Sequence, residues 1–124
     1  MGTTKKILLV DDERMLHSMM KSVLGVHGFE VVSAMSGEEG LAMVATEKPD
    51  LIVLDVMMPK MKGREVCARI KADPTTAHIP VIFLTAKDSD DDVLAELHVG
   101  AIGHITKPLN ISNFVKLVKQ ALRP

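Results

Sequence analysis

The sequence predicts an α/β fold in which a parallel five-stranded sheet carries helices on both faces. Three observations predict it. Short apolar runs recur without polar interruption, as strands covered on both faces require. Segments with apolar residues at helical spacing separate those runs. Polar residues gather immediately after the runs, at what would become one edge of the sheet.

Taken in order, Ile7–Val10 reads as the first strand, since four aliphatic residues stand together with no alternation. Met15, Leu16, Met19, Met20, Val23 and Leu24 mark one stripe of a first helix that ends at Gly28. Phe29–Ala34 is a mixed second strand. Ser36-Gly37-Glu38-Glu39 resembles a capping box and opens a second helix through Leu41, Val44 and Ala45. Leu51–Leu54 is the third strand, and Val66, Cys67 and Ile70 form a third helical stripe that Asp73-Pro74 stops. Pro80–Leu84 follows as the fourth strand.

Residues 89–99, with Val93, Leu94 and Leu97, predict a fourth helix. The acidic run Asp88, Asp90, Asp91 and Asp92 lies at its start, where negative charge meets the helix dipole favourably. Ala101–Ile105 is a weaker fifth strand, and Ile111, Phe114, Val115, Val118 and Leu122 define the last helix. Strict βα alternation implies right-handed crossovers and a three-layer sandwich, and five units are too few to close a barrel.

The chain has 124 residues, which fits one compact domain. It has 15 Lys and Arg against 16 Asp and Glu, a net charge of -1, so no global field draws it to nucleic acid or an anionic membrane. With neither Trp nor Tyr and only Phe29, Phe83 and Phe114, it offers no aromatic platform for stacked bases. No apolar run approaches the ~18 residues of a membrane span, and Lys5-Lys6 followed by a short apolar run is not a signal peptide. Cys67 is the single cysteine and cannot form an internal disulfide, which suits a reducing, cytoplasmic setting and an inert buried thiol. The nine methionines sit largely at helical spacing and predict core filling rather than a copper site. No Gly-x-Gly-x-x-Gly follows the first strand and no P-loop is present, so a nucleotide fold would lack its phosphate cradle.

Ligands of open α/β sheets bind beyond the carboxyl ends of the strands. Here those ends carry Asp11-Asp12, Asp55, Thr85 and Thr106-Lys107-Pro108. Each has a bland reading alone: Asp12 as a helix cap, Thr85 as a turn residue, Lys107 as a solvated lysine. As a set they read differently, because three neighbouring carboxylates repel one another unless a cation or an ammonium compensates them. An all-oxygen donor set without suitably spaced histidine or cysteine points to a hard ion, and Mg2+ fits best.

The motifs Asp11-Asp12, Leu54-Asp55-Val56-Met57-Met58-Pro59, Leu84-Thr85-Ala86 and Lys107-Pro108 resemble those of bacterial response regulator receiver domains, over nearly the whole chain. The resemblance implies a (βα)5 flavodoxin-like three-layer sandwich of strand order 2-1-3-4-5, with residues 1–124 as one receiver domain. It implies that Asp55 is the phosphoacceptor, served by a histidine kinase or phosphotransfer protein. Asp12, Asp55 and the Met57 carbonyl would ligate Mg2+, with Asp11 acting mainly through metal-bound water. Lys107, Thr85 and the Ala86 amide would hold phosphoryl oxygens, and a cis Lys107–Pro108 bond would aim the ammonium inward. Such a protein is no enzyme in the ordinary sense: it promotes its own phosphorylation and a slow dephosphorylation, with Met57 and Lys87 placed to orient or block the hydrolytic water. The surface that changes would be the fourth helix, fifth strand and last helix, read by an unknown output partner, with no direct nucleic-acid or membrane contact.

Two departures from the family pattern stand out. The stretch before the lysine reads Gly100-Ala101-Ile102-Gly103-His104, so His104 takes the switch-aromatic position opposite Thr85. Ile102 and Gly103 replace an acidic pair that symmetric receiver dimers share, which predicts a monomer in the unphosphorylated state and a small apolar patch for a heterologous partner. An aspartyl-phosphate phosphatase of the haloacid dehalogenase type would want a second acid where Met57 stands, and a pseudo-receiver would lack one of the five site residues.

Overall fold

The computed structural model describes residues 4–86 and 100–122. The predicted fourth helix and its acidic start lie outside them, as does Lys87. The described elements are β1 (Lys6–Val10), α1 (Arg14–Val26), β2 (Glu30–Ala34), α2 (Gly37–Glu47), β3 (Leu51–Asp55), α3 (Gly63–Ala72), β4 (Val81–Thr85), β5 (Gly103–Thr106) and α4 (Ile111–Ala121). All strand pairs are parallel and the order is β2-β1-β3-β4-β5.

The unbroken apolar runs are explained by two-sided burial, because alternate residues of one strand feed opposite layers. Leu8, Val10, Ile52, Leu54, Val81 and Phe83 pack with Val44, Val66, Cys67 and Ile70 beneath α2 and α3. Ile7, Leu9, Leu51, Val53, Ile82 and Leu84 pack with Leu16, Met20, Leu24, Phe114, Val115 and Val118 beneath α1 and α4. Each such side chain contributes about 1.5–3 kcal/mol on leaving water.

The helix starts follow the sequence closely. Ser36 Oγ accepts from the Glu39 amide at 3.2 Å, and the Glu39 carboxylate accepts from the Met35 amide at 2.9 Å, one residue earlier than the reciprocal partner of a capping box. Asn110 caps α4 by accepting from the Asn113 amide at 3.1 Å. At the end of α3, Asp73 leaves the helix and its carboxylate accepts from both the amide and the hydroxyl of Thr75.

The first helical stripe is only partly as predicted. Leu16, Met20 and Leu24 are buried, but Met15 is 86% exposed and His17 takes its place on the inner face. The predicted stripe thus loses Met15 and, at 36% exposure, Met19, while His17 joins the inner face because two polar partners there satisfy its ring. Cys67 is buried, and burial pushes its thiol up to about 11, as an inert core cysteine requires.

The loop after β3 is a close turn. Val56 and Met58 are buried, Lys60 has a φ of 69°, and the Gly63 amide donates to the Val56 carbonyl at 3.0 Å. A Cβ at Gly63 would run into the Asp55 carbonyl and the Val56 Cα, both backbone atoms that cannot swing aside. Gly63→Ala should therefore lower stability by roughly 1–3 kcal/mol in denaturant titrations followed by far-ultraviolet circular dichroism, and an unchanged midpoint would mean that this approach is not needed.

Candidate functional site

Because β1 and β3 are neighbours, the residue after β1 and the last residue of β3 emerge side by side. These are Asp11, fully buried, and Asp55, which is 5% exposed. Exposed Asp12 completes a group whose carboxylate oxygens lie within 4.8 Å of one another, the one metal-capable cluster among the described residues. On the far side of β3, β4 ends in buried Thr85, and β5 ends beside it. The Lys107 amide donates to the Thr85 carbonyl at 2.7 Å, and the Lys107–Pro108 peptide is cis.

The Lys107 side chain runs back across the strand ends. Its Nζ lies 3.0 Å from Asp11 Oδ2, 3.4 Å from Glu13 Oε1 and 3.6 Å from Asp55 Oδ2. Asp55 Oδ1 accepts from the Met57 amide at 3.1 Å, while the Met57 side chain is 62% exposed beside the opening. The rim thus brings together Asp11, Asp12, Asp55, Thr85 and Lys107, with Met57 and the exposed Ala86 at its border. His104 lies two rungs from the rim: it pairs with Phe83 as Thr106 pairs with Thr85, and it is half-buried. By strand alternation it shares a sheet face with Thr85.

Two participants had no motif to announce them. Glu13 is a third anionic partner of Lys107, and His17 contacts the Asp11 backbone from α1. The spacing of Glu13 from Asp11 was visible, but its pairing across the sheet was not. His17 sat inside an apolar helical stripe, which is the one available signal for a buried histidine.

The site is undercompensated in charge. Burial, then the Asp11 carboxylate, pushes the Asp55 carboxyl up to about 6, against the opposing pull of Lys107 and the Met57 amide. Burial depresses the Lys107 ammonium, yet the hydrogen bond it donates to Asp11 and the charges of Asp11, Asp55 and Glu13 outweigh this and hold the group above its ordinary value. A carboxylate that remains partly unneutralised at a solvent opening, beside two more acids, is fitted to take a divalent cation and to act as an oxygen nucleophile.

The sequence matches the family of the response regulator receiver domain over residues 7–119. The chain belongs to that family. The receiver is 43% identical to the alkaline phosphatase synthesis transcriptional regulatory protein PhoP of Bacillus subtilis, over 96% of this chain and 49% of that protein. It is 45% identical to the response regulator PleD of Caulobacter vibrioides, over 85% of this chain and 23% of that protein. The receiver therefore spans half or less of the length of these relatives. Among solved structures, chemotaxis protein CheY4 of Vibrio cholerae superposes with a TM-score of 0.92 at 31% identity, covering 97% of this chain and all of that one. No helix among the described residues of the receiver is long and apolar enough to cross a membrane.

The raised Asp55 carboxyl has a consequence for stability. Its value is about 6 folded against 3.8 as the ordinary value, so between those values the folded state holds more protons than the unfolded one and stability falls as pH rises. Above pH 6 the whole penalty is present. In metal-free solution at pH 8, Asp55→Asn should raise the unfolding free energy by roughly 1–3 kcal/mol, and the gain should vanish near pH 4; a variant less stable than the parent at pH 8 would contradict the charge balance described above.

Proposed function

We propose that this receiver is a phosphoacceptor switch of a two-component system, in which Asp55 takes a phosphoryl group from a histidine kinase or a phosphotransfer protein. The observation that carries this reading is the position of Asp55: a nucleophilic carboxylate at the opening, flanked by two acids and faced by one ammonium at 3.6 Å. An Asp55 oxygen attacks phosphorus in line, the new O–P bond forms as the bond to the donor breaks, and the donor leaves with its electron pair. No general base is needed, since the ionised carboxylate is already the nucleophile.

Lys107 is poised for the product. Its ammonium, now shared among Asp11, Glu13 and Asp55, would turn to a phosphoryl oxygen, and the Thr85 hydroxyl and Ala86 amide would hold the others. The all-oxygen cluster of Asp11, Asp12 and Asp55 fits Mg2+: Asp12, Asp55 and the Met57 carbonyl would hold it directly and Asp11 at one remove. When bound, the ion neutralises charge that develops on the transferring phosphoryl oxygens. The exposed, apolar Met57 cannot orient a hydrolytic water, which supports slow loss of the phosphoryl group.

The donor would approach over the groove formed by Glu13, Leu16, Met19, Lys107, Pro108 and Leu109, which borders the opening. Readout would follow Thr85 and His104. Drawing the Thr85 hydroxyl toward the phosphoryl group vacates space on the face that His104 shares, and a turn of His104 alters the surface of β5, α4 and the predicted fourth helix. Ile102 is 52% exposed beside it, a small apolar spot suited to a protein partner. The balanced charge, net -1, supports a protein rather than a nucleic-acid contact for this unit. We take residues 1–124 as a single cytoplasmic receiver domain, monomeric when unphosphorylated.

Labelling by acetyl phosphate with Mg2+, read by intact mass, tests the reading. One phosphoryl group should appear on the parent, none on Asp55→Asn, and the rate should fall in acid as Asp55 becomes protonated, at a pH that bound Mg2+ draws below the metal-free value of about 6. Undiminished labelling of the variant would assign the phosphoacceptor elsewhere. Light scattering with and without beryllium trifluoride, a mimic of the phosphoryl group, should report a monomer in the free state. A stable symmetric dimer through the β5 and last-helix face in the activated form would overturn the heterologous-partner reading, and a dimer in the free protein would overturn the monomer.

A further inference from the structure

We propose that His17 is a positioning residue of the phosphoryl site, locking the peptide that joins Asp11 to Asp12. This rests on the reading of those residues as the acidic half of the site. His17 is 5% exposed on the inner face of α1. Its Nε2 lies 2.7 Å from the Asp11 carbonyl oxygen and its Nδ1 lies 2.8 Å from the Ser33 hydroxyl on β2. A carbonyl can only accept, so Nε2 carries a hydrogen and donates it.

The geometry matters because of where β1 ends. The Asp11 amide still donates to the Ala34 carbonyl on β2 at 3.1 Å, as the strand ladder does. Asp11 lies past the last β1–β3 pair, Val10 with Leu54, and its carbonyl turns to His17. With the amide pinned by β2 and the carbonyl by His17, the Asp11–Asp12 backbone is held on both sides of Asp11. That backbone sets the directions of both carboxylates. One of them, Asp11, uses Oδ1 to accept from the Glu13 amide at 2.9 Å and Oδ2 to hold Lys107. The other, Asp12, is exposed and has no comparable tether of its own among the bonds described. Its aim therefore depends on the peptide before it.

Ser33 serves as the outer anchor. It fixes the ring plane from β2, so that one imidazole couples the second strand, the first helix and the acidic turn. Groups that orient metal ligands from behind in this way typically change affinity by 10–100-fold when removed.

Two variants of similar polarity isolate the bond to Asp11. The amide nitrogen of His17→Gln reaches the position of Nε2, whereas that of His17→Asn reaches only the position of Nδ1. Mg2+ titration by calorimetry at pH 8 and circular-dichroism melting would be measured on both, with His17→Leu as the variant that loses both bonds. We expect Mg2+ affinity to fall about 10-fold in His17→Asn and His17→Leu and to stay within about 3-fold of the parent in His17→Gln, with the Asn and Gln variants melting together. If His17→Leu does not fold, the Asn and Gln pair decides alone. Equal Mg2+ affinity in those two, or parent-like affinity in His17→Leu, would overturn the proposal. Acetyl phosphate labelling of the parent separates the two readings: a labelled parent with indistinguishable variants refutes His17 alone, while an unlabelled parent refutes the phosphoacceptor.

Discussion

The ion pair between Lys107 and Asp11 spans 96 positions of sequence and closes the strand-end rim from its last junction to its first. Between its partners lie the ends of β3 and β4, with Asp55 and Thr85. One ammonium has to serve Asp11, Glu13 and Asp55 together, so it satisfies none of them fully. Burial first and then the Asp11 carboxylate hold the Asp55 carboxyl well above its ordinary value against that divided pull, and the excess of negative charge favours an added cation. Buried charges are usually paired one to one. Here the arithmetic is left open at the solvent side, where a ligand can complete it.

The sheet makes such an arrangement affordable to the fold. Parallel strands with both faces covered give two aliphatic layers that share a rigid backbone. Their carboxyl ends are fixed to one another by ladder hydrogen bonds, so polar groups placed there keep their separations without needing attractive contacts among themselves. The turn from β3 into α3 adds to this: it packs so closely on the Asp55 carbonyl that only glycine fits at residue 63. Asp11 itself stiffens the start of α1. Glu13 caps that helix without a side-chain bond, and the Asp11 carboxylate accepts from the Glu13 amide instead.

The comparisons place the chain in a family, and its two histidines near the acidic rim are features of its own sequence and structure. It carries a half-buried histidine, His104, on β5, and its first helix buries His17 against the acidic turn while turning Met15 outward. The matched part is 49% of PhoP and 23% of PleD, so this chain resembles a portion of longer proteins.

By itself the sequence determined the five strands, the four described helices and the residues at the strand ends. Those follow from periodicity and from breakers such as Asp73-Pro74, which are local properties of the chain. It also presented Asp11, Asp12, Asp55, Thr85 and Lys107 as a set, because a parallel sheet must bring its strand ends to one edge. Only the tertiary structure decided how the charges are shared. The reach of Lys107 to Asp11 and Glu13, the buried bonds of His17 to the Asp11 carbonyl and Ser33, and the exposure of Met15 depend on which elements meet in space. Helical spacing gives a stripe but not its edges, since a polar side chain can be buried where its ring nitrogens both find partners, as those of His17 do.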